Sequence, residues 1–321
     1  IGARGGREWN NRMVKEADVI LFAATSTDSA NTDGWKLPSP NSGQKFIQID
    51  IAERELGNNY DALPLFGDAR ETLTALTAAL AERPRPDRGA WAARCAEEKA
   101  AHEKKLEAIM ARCGDEPHPL SLVRAIERLT PDTAFFAVDP GSPAIYSSCF
   151  LRIARAGRRA AYNFSMGALG YAIPAAIGAR CGTAAEAPVV GLIGDGSFGF
   201  CGAELETAAR LGLKIIYVLF NNGTFGWIRG TQRVHTGAEI TRNFRQFTDF
   251  AKVDYVKFAE SLGLTGCRAG SMSEFEEIFA KCLKADGPCL IDVPLKPEDE
   301  QLPPVPAWAA AKIAKDEDMA Y

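Results

Sequence analysis

The chain has 321 residues, room for about two domains of ordinary size, and 46% of them are apolar, enough for packed cores. A net charge of −4 gives no basic face for nucleic acid or an anionic membrane, and no apolar run reaches the roughly 18 residues of a membrane-spanning helix. The glycine- and arginine-rich opening does not read as a signal peptide, so the expected compartment is the cytoplasm.

Two apolar runs, "ADVILFAA" (17–24) and "KFIQIDI" (45–51), predict strands, and a helix is expected over 68–81. "RPRPDRGAW" then breaks the pattern, and 92–113 reads as a charged helix with a solvated face. The α/β alternation resumes with a helix over 120–129, a strand over 134–139 ("AFFAVD") and a Gly/Pro loop. Further strands follow over 189–193 and 214–220, separated by a helix over 203–211. Helices over 254–262 and 273–284 and a strand over 288–293 complete the pattern, and no internal repeat is seen. The predicted fold is α/β with a doubly wound parallel sheet, preceded by part of a second α/β domain. The expected segments are 1–82, a helical linker over 83–116, and a second domain over 117–321. With two clear strands in about 80 residues, the first segment is thin for an independent core.

The chemistry concentrates in "VVGLIGDGSFGF" (189–200). Gly194, Gly196 and Gly199 spell the dinucleotide pattern, which also asks for an acid at the end of the next strand, and Asn221 and Asn222 stand there instead. An NAD-dependent dehydrogenase is thereby disfavoured. A bare carboxylate in a phosphate loop repels the anion, and a cation between them reverses the sign. The two strands of a right-handed β-α-β unit end at one edge, so Asp195 and Asn222 offer oxygens to one point, as Mg²⁺ with a diphosphate requires. The plain alternative is that these glycines and asparagines only make turns.

Elsewhere the signals are weaker. Eight cysteines are scattered at 95, 113, 149, 181, 201, 267, 282 and 289 with no C-x-x-C pair, so zinc is not expected. Cys201 reads as a packing residue rather than a nucleophile, and His235, in a polar segment, is ambiguous between surface and site.

"GDGSF" followed by "NN" resembles the cofactor motif of thiamine-diphosphate-dependent enzymes. "SMGALGYAIPAAIGAR", "GAELETAARLGLKIIYVLFNNGTFGWIRGTQ" and the tail "LPPVPAW" are similar to the acetolactate synthase and 2-oxo-acid decarboxylase group. "GGREWNNRMVKEADVILFAATSTDS", "TDGWKLP" and "FIQIDIAERELGNNYDALPLFGDARETLTAL" are similar to the central domain of that group. The resemblance implies thiamine diphosphate and Mg²⁺ as cofactors. Asp195 and Asn222 would ligate the metal by side chains and Thr224 by its carbonyl. Gly196, Ser197 and, from "DPGSP", Ser142 would face the diphosphate, and Gly226 joins the cofactor-binding positions. The Gly167 backbone would meet the aminopyrimidine, Leu169 would wedge the cofactor into a bent form, and Trp227 and Gln232 become candidates for the substrate pocket. Without the resemblance, Gly167 and Leu169 read equally well as packing residues and Trp227 as a packing anchor.

The resemblance also implies a glutamate from a pyrimidine-binding domain, across a subunit interface, that assists deprotonation of the cofactor. Nothing in these residues resembles that domain. No catalytic residue is therefore assigned to this chain, which is expected to be inert alone, whether one subunit of a split enzyme or a piece of a longer chain. The expected assembly is a hetero-oligomer built on a dimer of active-site halves, with no nucleic acid and no membrane. The expected activity is acetolactate-type carboligation of a small 2-oxo acid, with 2-oxo-acid decarboxylation as the alternative and a non-catalytic regulatory relic as a third reading. Some members hold FAD or ADP in the central domain, and no glycine fingerprint supports either here.

Overall fold

A computed structural model describes residues 6–29, 31–84, 86–157, 159–163, 166–236 and 242–297, with the side chains of 233–236 and 242–244 excepted. The side chain of His235 and the tail "LPPVPAW" lie outside the described residues. The chain divides into two compact units, the break falling after Glu107.

The first unit contains α1 (Glu8–Glu16), β1 (Val19–Ala23), β2 (Lys45–Asp50), β3 (Ala62–Phe66), α2 (Ala69–Ala81) and the start of α3 (Gly89–Cys113). Its sheet has three strands in the order β1-β2-β3, all parallel, one more than expected. The additional strand, "ALPLF", carries Pro64, which cannot donate to a ladder and is tolerated because β3 is an edge strand. Phe22, Phe46 and Tyr60 form its aromatic core, with ring centroids 4.9–5.9 Å apart. Asp68 caps α2 by accepting the N–H groups of Arg70 and Glu71, the arrangement that favours aspartate before a helix.

α1 lies along α3, joined by Arg12–Glu98 and Lys105–Glu8 ion pairs, with Cys95 against Met13. Among these charges His102 is only 2% exposed, and neither ring nitrogen has a hydrogen-bond partner among the described residues. Burial pushes its pKa down; Glu103 and Glu8 pull it up, while Arg7 and Lys105 push it further down. The unfolded chain therefore takes up this proton before the folded one. Stability should fall as pH drops below the ordinary histidine value of about 6.5, by at most about 1.4 kcal/mol per pH unit until the folded form also protonates. Thermal melts between pH 8 and 5 should show that slope in the parent and lose its histidine component in His102→Leu; identical slopes would refute the assignment.

The second unit holds the rest of α3, then α4 (Pro119–Leu129), β4 (Phe135–Val138), α5 (Ser142–Phe150), β5 (Ala160–Tyr162), α6 (Ala172–Gly182), β6 (Val189–Gly194), α7 (Asp195–Cys201) and α8 (Leu205–Arg210). It continues with β7 (Ile216–Asn221), α9 (Gly226–Thr236), α10 (Arg242–Thr248), α11 (Tyr255–Ser261), β8 (Thr265–Arg268), α12 (Met272–Cys282) and β9 (Cys289–Pro294). The six strands run in the order β5-β4-β6-β7-β9-β8, every pair parallel, with helices flanking the sheet. This is the predicted α/β architecture. β6 and β7 are buried except at their last residues, as apolar runs in a central parallel sheet require. Their side chains pack with Ile173 and Ala176 of α6, Leu205 and Ala208 of α8 and Tyr255 of α11.

Two details differ from expectation. The segment read as a Gly/Pro loop becomes helix α5, with Pro143 in its first turn, where a missing N–H costs nothing. The helix expected over 203–211 begins as a 3₁₀ turn, Gly202–Glu204, and only then continues as α8.

Candidate functional site

Neighbours β4 and β6 send their chains into helices at the same edge, and the chain leaves β4 for β5 on one side while β6 lies on the other. This is a switch point, where open α/β sheets leave a crevice beyond the strand ends. The start of α5, with buried Ser142 at its first position, flanks the crevice on the β4 side. On the β6 side the chain turns at Gly194, which approaches Pro143 of α5, and α7 opens directly on Asp195. N–H groups at such helix starts attract anions.

Asp195 is 5% exposed. Its Oδ1 accepts the N–H of Gly196 at 2.8 Å, and its Oδ2 accepts the N–H of Gly223 at 2.6 Å. The carboxylate thus bridges the glycine turn after β6 and the asparagine turn after β7. Burial raises its pKa to about 7, against the pull of these N–H groups and those of Asn222 and Thr224. Asn222 makes an Asx turn, its Oδ1 accepting the N–H of Thr224 at 3.1 Å. The carbonyl of Thr224 faces back into the turn, accepting from Gly226 at 2.8 Å, and its hydroxyl donates to the carbonyl of Thr248. Ser197 is buried, and its Oγ has no partner among the described residues.

The third side is the turn before α6. Gly167 takes φ 62° and Gly170 φ 85°, and half-buried Leu169 stands between them. A Cβ on Gly170 would lie 2.9 Å from Cys201 Sγ, so only glycine lets this turn lie against α7. Cys201 is therefore packed against the turn. Gly196 is constrained differently, since a Cβ there would lie 2.8 Å from the Phe225 ring. Phe225 in turn meets Phe250 edge-on at 4.6 Å. The strip from Thr248 to Phe250 buckles over the asparagine turn, through Phe225 N–H to Thr248 carbonyl and Phe250 N–H to Gly223 carbonyl, each bond 2.8–2.9 Å.

The sequence-predicted residues Asp195, Gly196, Asn222, Thr224 and Gly226 are thus joined in one hydrogen-bonded cluster, with Ser142 and Ser197 beside the same glycine turn. Trp227 is half-buried on the first turn of α9, whereas Gln232 is exposed about 7.5 Å further along that helix. Sequence reasoning did not single out Asp139, the residue after β4. It is fully buried; Oδ1 accepts the N–H of Ala172 at 3.0 Å and Oδ2 has no partner among the described residues. Burial raises its pKa to about 7, against the backbone N–H groups of Ala172, Tyr171 and Gly170. It fastens the start of α6, and with it the Leu169 turn, to the end of β4. Arg229 was also passed over; it is 2% exposed and pairs with Asp249 at 3.1 Å, inside the buckled strip.

A buried carboxylate, an amide oxygen, a nearby main-chain carbonyl and an orphaned buried hydroxyl beside helix N–H groups fit a hard divalent cation bridging to a diphosphate. The family comparison agrees. Residues 139–293 match the model of the C-terminal TPP binding domain of thiamine pyrophosphate enzymes, and residues 1–76 match the central domain of the same enzymes. The chain belongs to the thiamine pyrophosphate enzymes.

Within that family it is 29% identical to the acetolactate synthase of Bacillus subtilis over 299 residues, 89% of this chain and 48% of that protein. It is 37% identical over 223 residues to a probable 2-ketoarginine decarboxylase of Pseudomonas aeruginosa, covering 68% of this chain and 37% of that protein. Against the pyruvate oxidase of Lactiplantibacillus plantarum it is 26% identical over 289 residues, 88% of this chain and 45% of the oxidase. The chain spans about half the length of the first of these relatives. Among the described residues, no helix is long and apolar enough to cross a membrane.

Proposed function

We propose that these residues form the Mg²⁺- and diphosphate-holding part of an acetolactate synthase-like carboligase that acts on a small 2-oxo acid. The observation that carries this reading is Asp195, a buried carboxylate spanning two turns at a switch point, where a phosphate-binding loop has no use for negative charge unless a cation joins it. Asp195 and the Asn222 side chain would hold Mg²⁺ together with the Thr224 carbonyl. Gly196, Ser197 and Ser142 would receive the diphosphate, Leu169 would press the cofactor from the α6 turn, and Asp139 would keep that turn in place. Bound there, thiamine diphosphate supplies the electron sink needed to cleave the bond beside a 2-oxo acid's carbonyl.

Carboligation is favoured by the acetolactate synthase match, which extends over 89% of the chain. Decarboxylation without ligation stays as a second reading because the probable 2-ketoarginine decarboxylase has the higher identity, 37%. For either, we place the pyrimidine-contacting glutamate on a domain outside these residues, within a hetero-oligomer of paired active-site halves. Product analysis separates the two readings. With pyruvate, Mg²⁺ and thiamine diphosphate, the assembled enzyme should release one CO₂ for every two pyruvates and form acetolactate. One CO₂ per pyruvate, with acetaldehyde as sole organic product, would establish the decarboxylase reading instead.

A further inference from the structure

A second carboxylate lies behind the asparagine turn, away from the crevice residues described above. Asp292 of β9 is 0% exposed. Its Oδ1 accepts the side-chain N–H of Asn221 at 2.8 Å; its Oδ2 accepts both Arg268 Nε at 3.0 Å and Arg268 Nη2 at 2.7 Å. Arg268 ends the edge strand β8, and its side chain is about half exposed. Asn221 ends β7, where its main-chain carbonyl also accepts the N–H of Leu295 at 2.7 Å. The first asparagine of the pair is therefore fixed to β9 by both backbone and side chain.

Burying a charge in a sheet centre is expensive, and an apolar residue of similar size would satisfy β9 at least as well. What an apolar residue cannot do is accept the Asn221 amide. That amide sits one residue before Asn222 and two before Gly223, whose N–H reaches Asp195. The turn is thus held at both ends by carboxylates, Asp195 in front and Asp292 behind, and Arg268 compensates the charge of the rear one.

We propose that Asn221 and Asp292 are positioning residues for the cation site, fixing the exit of β7 so that the turn carrying Asn222 and Thr224 keeps its place against Asp195, with Arg268 as their clasp. The inference rests on the assignment of Asp195 to the metal. Outer residues of this kind orient ligands they do not replace, and their loss typically costs about 10–100-fold in metal affinity.

The experiment titrates Mn²⁺ into the full chain with saturating thiamine diphosphate, following free Mn²⁺ by electron paramagnetic resonance, with a thermal melt of each variant. Asp195→Asn is the reference for loss of the site itself. Asn221→Ala is expected to weaken Mn²⁺ binding about 10–100-fold in a variant that melts at a lower temperature but still cooperatively. Asp292→Asn, which keeps an acceptor oxygen for Asn221, should retain more affinity than Asn221→Ala. Should Asn221→Ala not fold, Arg268→Gln acts on the same carboxylate from its exposed side and should weaken Mn²⁺ in the same direction. Parent-like affinity in the folded Asn221 and Arg268 variants, while Asp195→Asn has lost the ion, overturns the positioning role and leaves the metal assignment standing. Parent-like affinity in Asp195→Asn removes the metal assignment, and this inference with it.

Discussion

An Asp195→Ala variant of the assembled enzyme should lose Mg²⁺-dependent binding of thiamine diphosphate, with affinity down by roughly 10²–10³. The magnitude follows from removing one partner of a buried, compensated charge pair, about 3–5 kcal/mol, at 1.4 kcal/mol per tenfold. The geometry gives the reason for so large an effect. Asp195 is buried, and besides its charge it supplies acceptors to Gly196 and Gly223, so its removal frees the two turns from each other as well as removing the proposed ligand. Asp195→Asn removes the charge but keeps one acceptor oxygen, so one of the two N–H groups keeps its partner, whereas Asp195→Ala frees both. Calorimetry with and without EDTA measures the effect; cofactor affinity unchanged in the variant, or indifferent to EDTA in the parent, would remove Asp195 from the site.

The second large effect concerns these 321 residues expressed by themselves. With Mg²⁺ and thiamine diphosphate saturating, they should consume no 2-oxo acid at an enzyme-like rate and should not accelerate exchange of the cofactor's C2 proton. Positioned acid–base assistance contributes about 10²–10⁴-fold, and the proposal places the assisting glutamate on another domain. Adding a polypeptide that carries the pyrimidine-binding domain should restore the rate, saturating at one such domain per bound cofactor. Enzyme-like turnover by the isolated residues would mean that their own side chains include the base.

The sheet's centre and the front of the site were readable from sequence for one physical reason: β6 and β7 are buried on both faces, and a chain segment in that position must be an unbroken apolar run. Two such runs joined by a helix of ordinary length have parallel ends at one edge, which is enough to bring Asp195 towards the turn after Asn221. Edge strands gave weaker signals. β5 has three residues, β8 contains Gly266, and β3 contains Pro64, so each lacks the long β-branched run that marks a central strand. Helix α5 was hidden by its own start, where Gly141 and Pro143 look like a loop although Gly141 is the residue before the helix, with a positive φ, and Pro143 suits its first turn. The carboxylates behind the site were the least readable. Asp139 and Asp292 each sit in or beside an apolar run, and their partners lie 33 and 71 residues away in sequence, so only the folded chain reveals what they hold.

The packing of Gly196 against Phe225 and Phe250 bears on how this motif can change over time. A methyl group at 196 would overlap the Phe225 ring, and that ring belongs to the turn that also carries Asn222 and Thr224. The glycine and the aromatic pair therefore form one heritable unit. A substitution at 196 becomes acceptable only after Phe225 has been replaced by something smaller, and a smaller residue at 225 leaves a void against Phe250 until 196 has grown. Each single step is disfavoured in the background left by the other, so the two positions should evolve as a coupled pair, with the order of replacement constrained by sterics before any phosphate is bound.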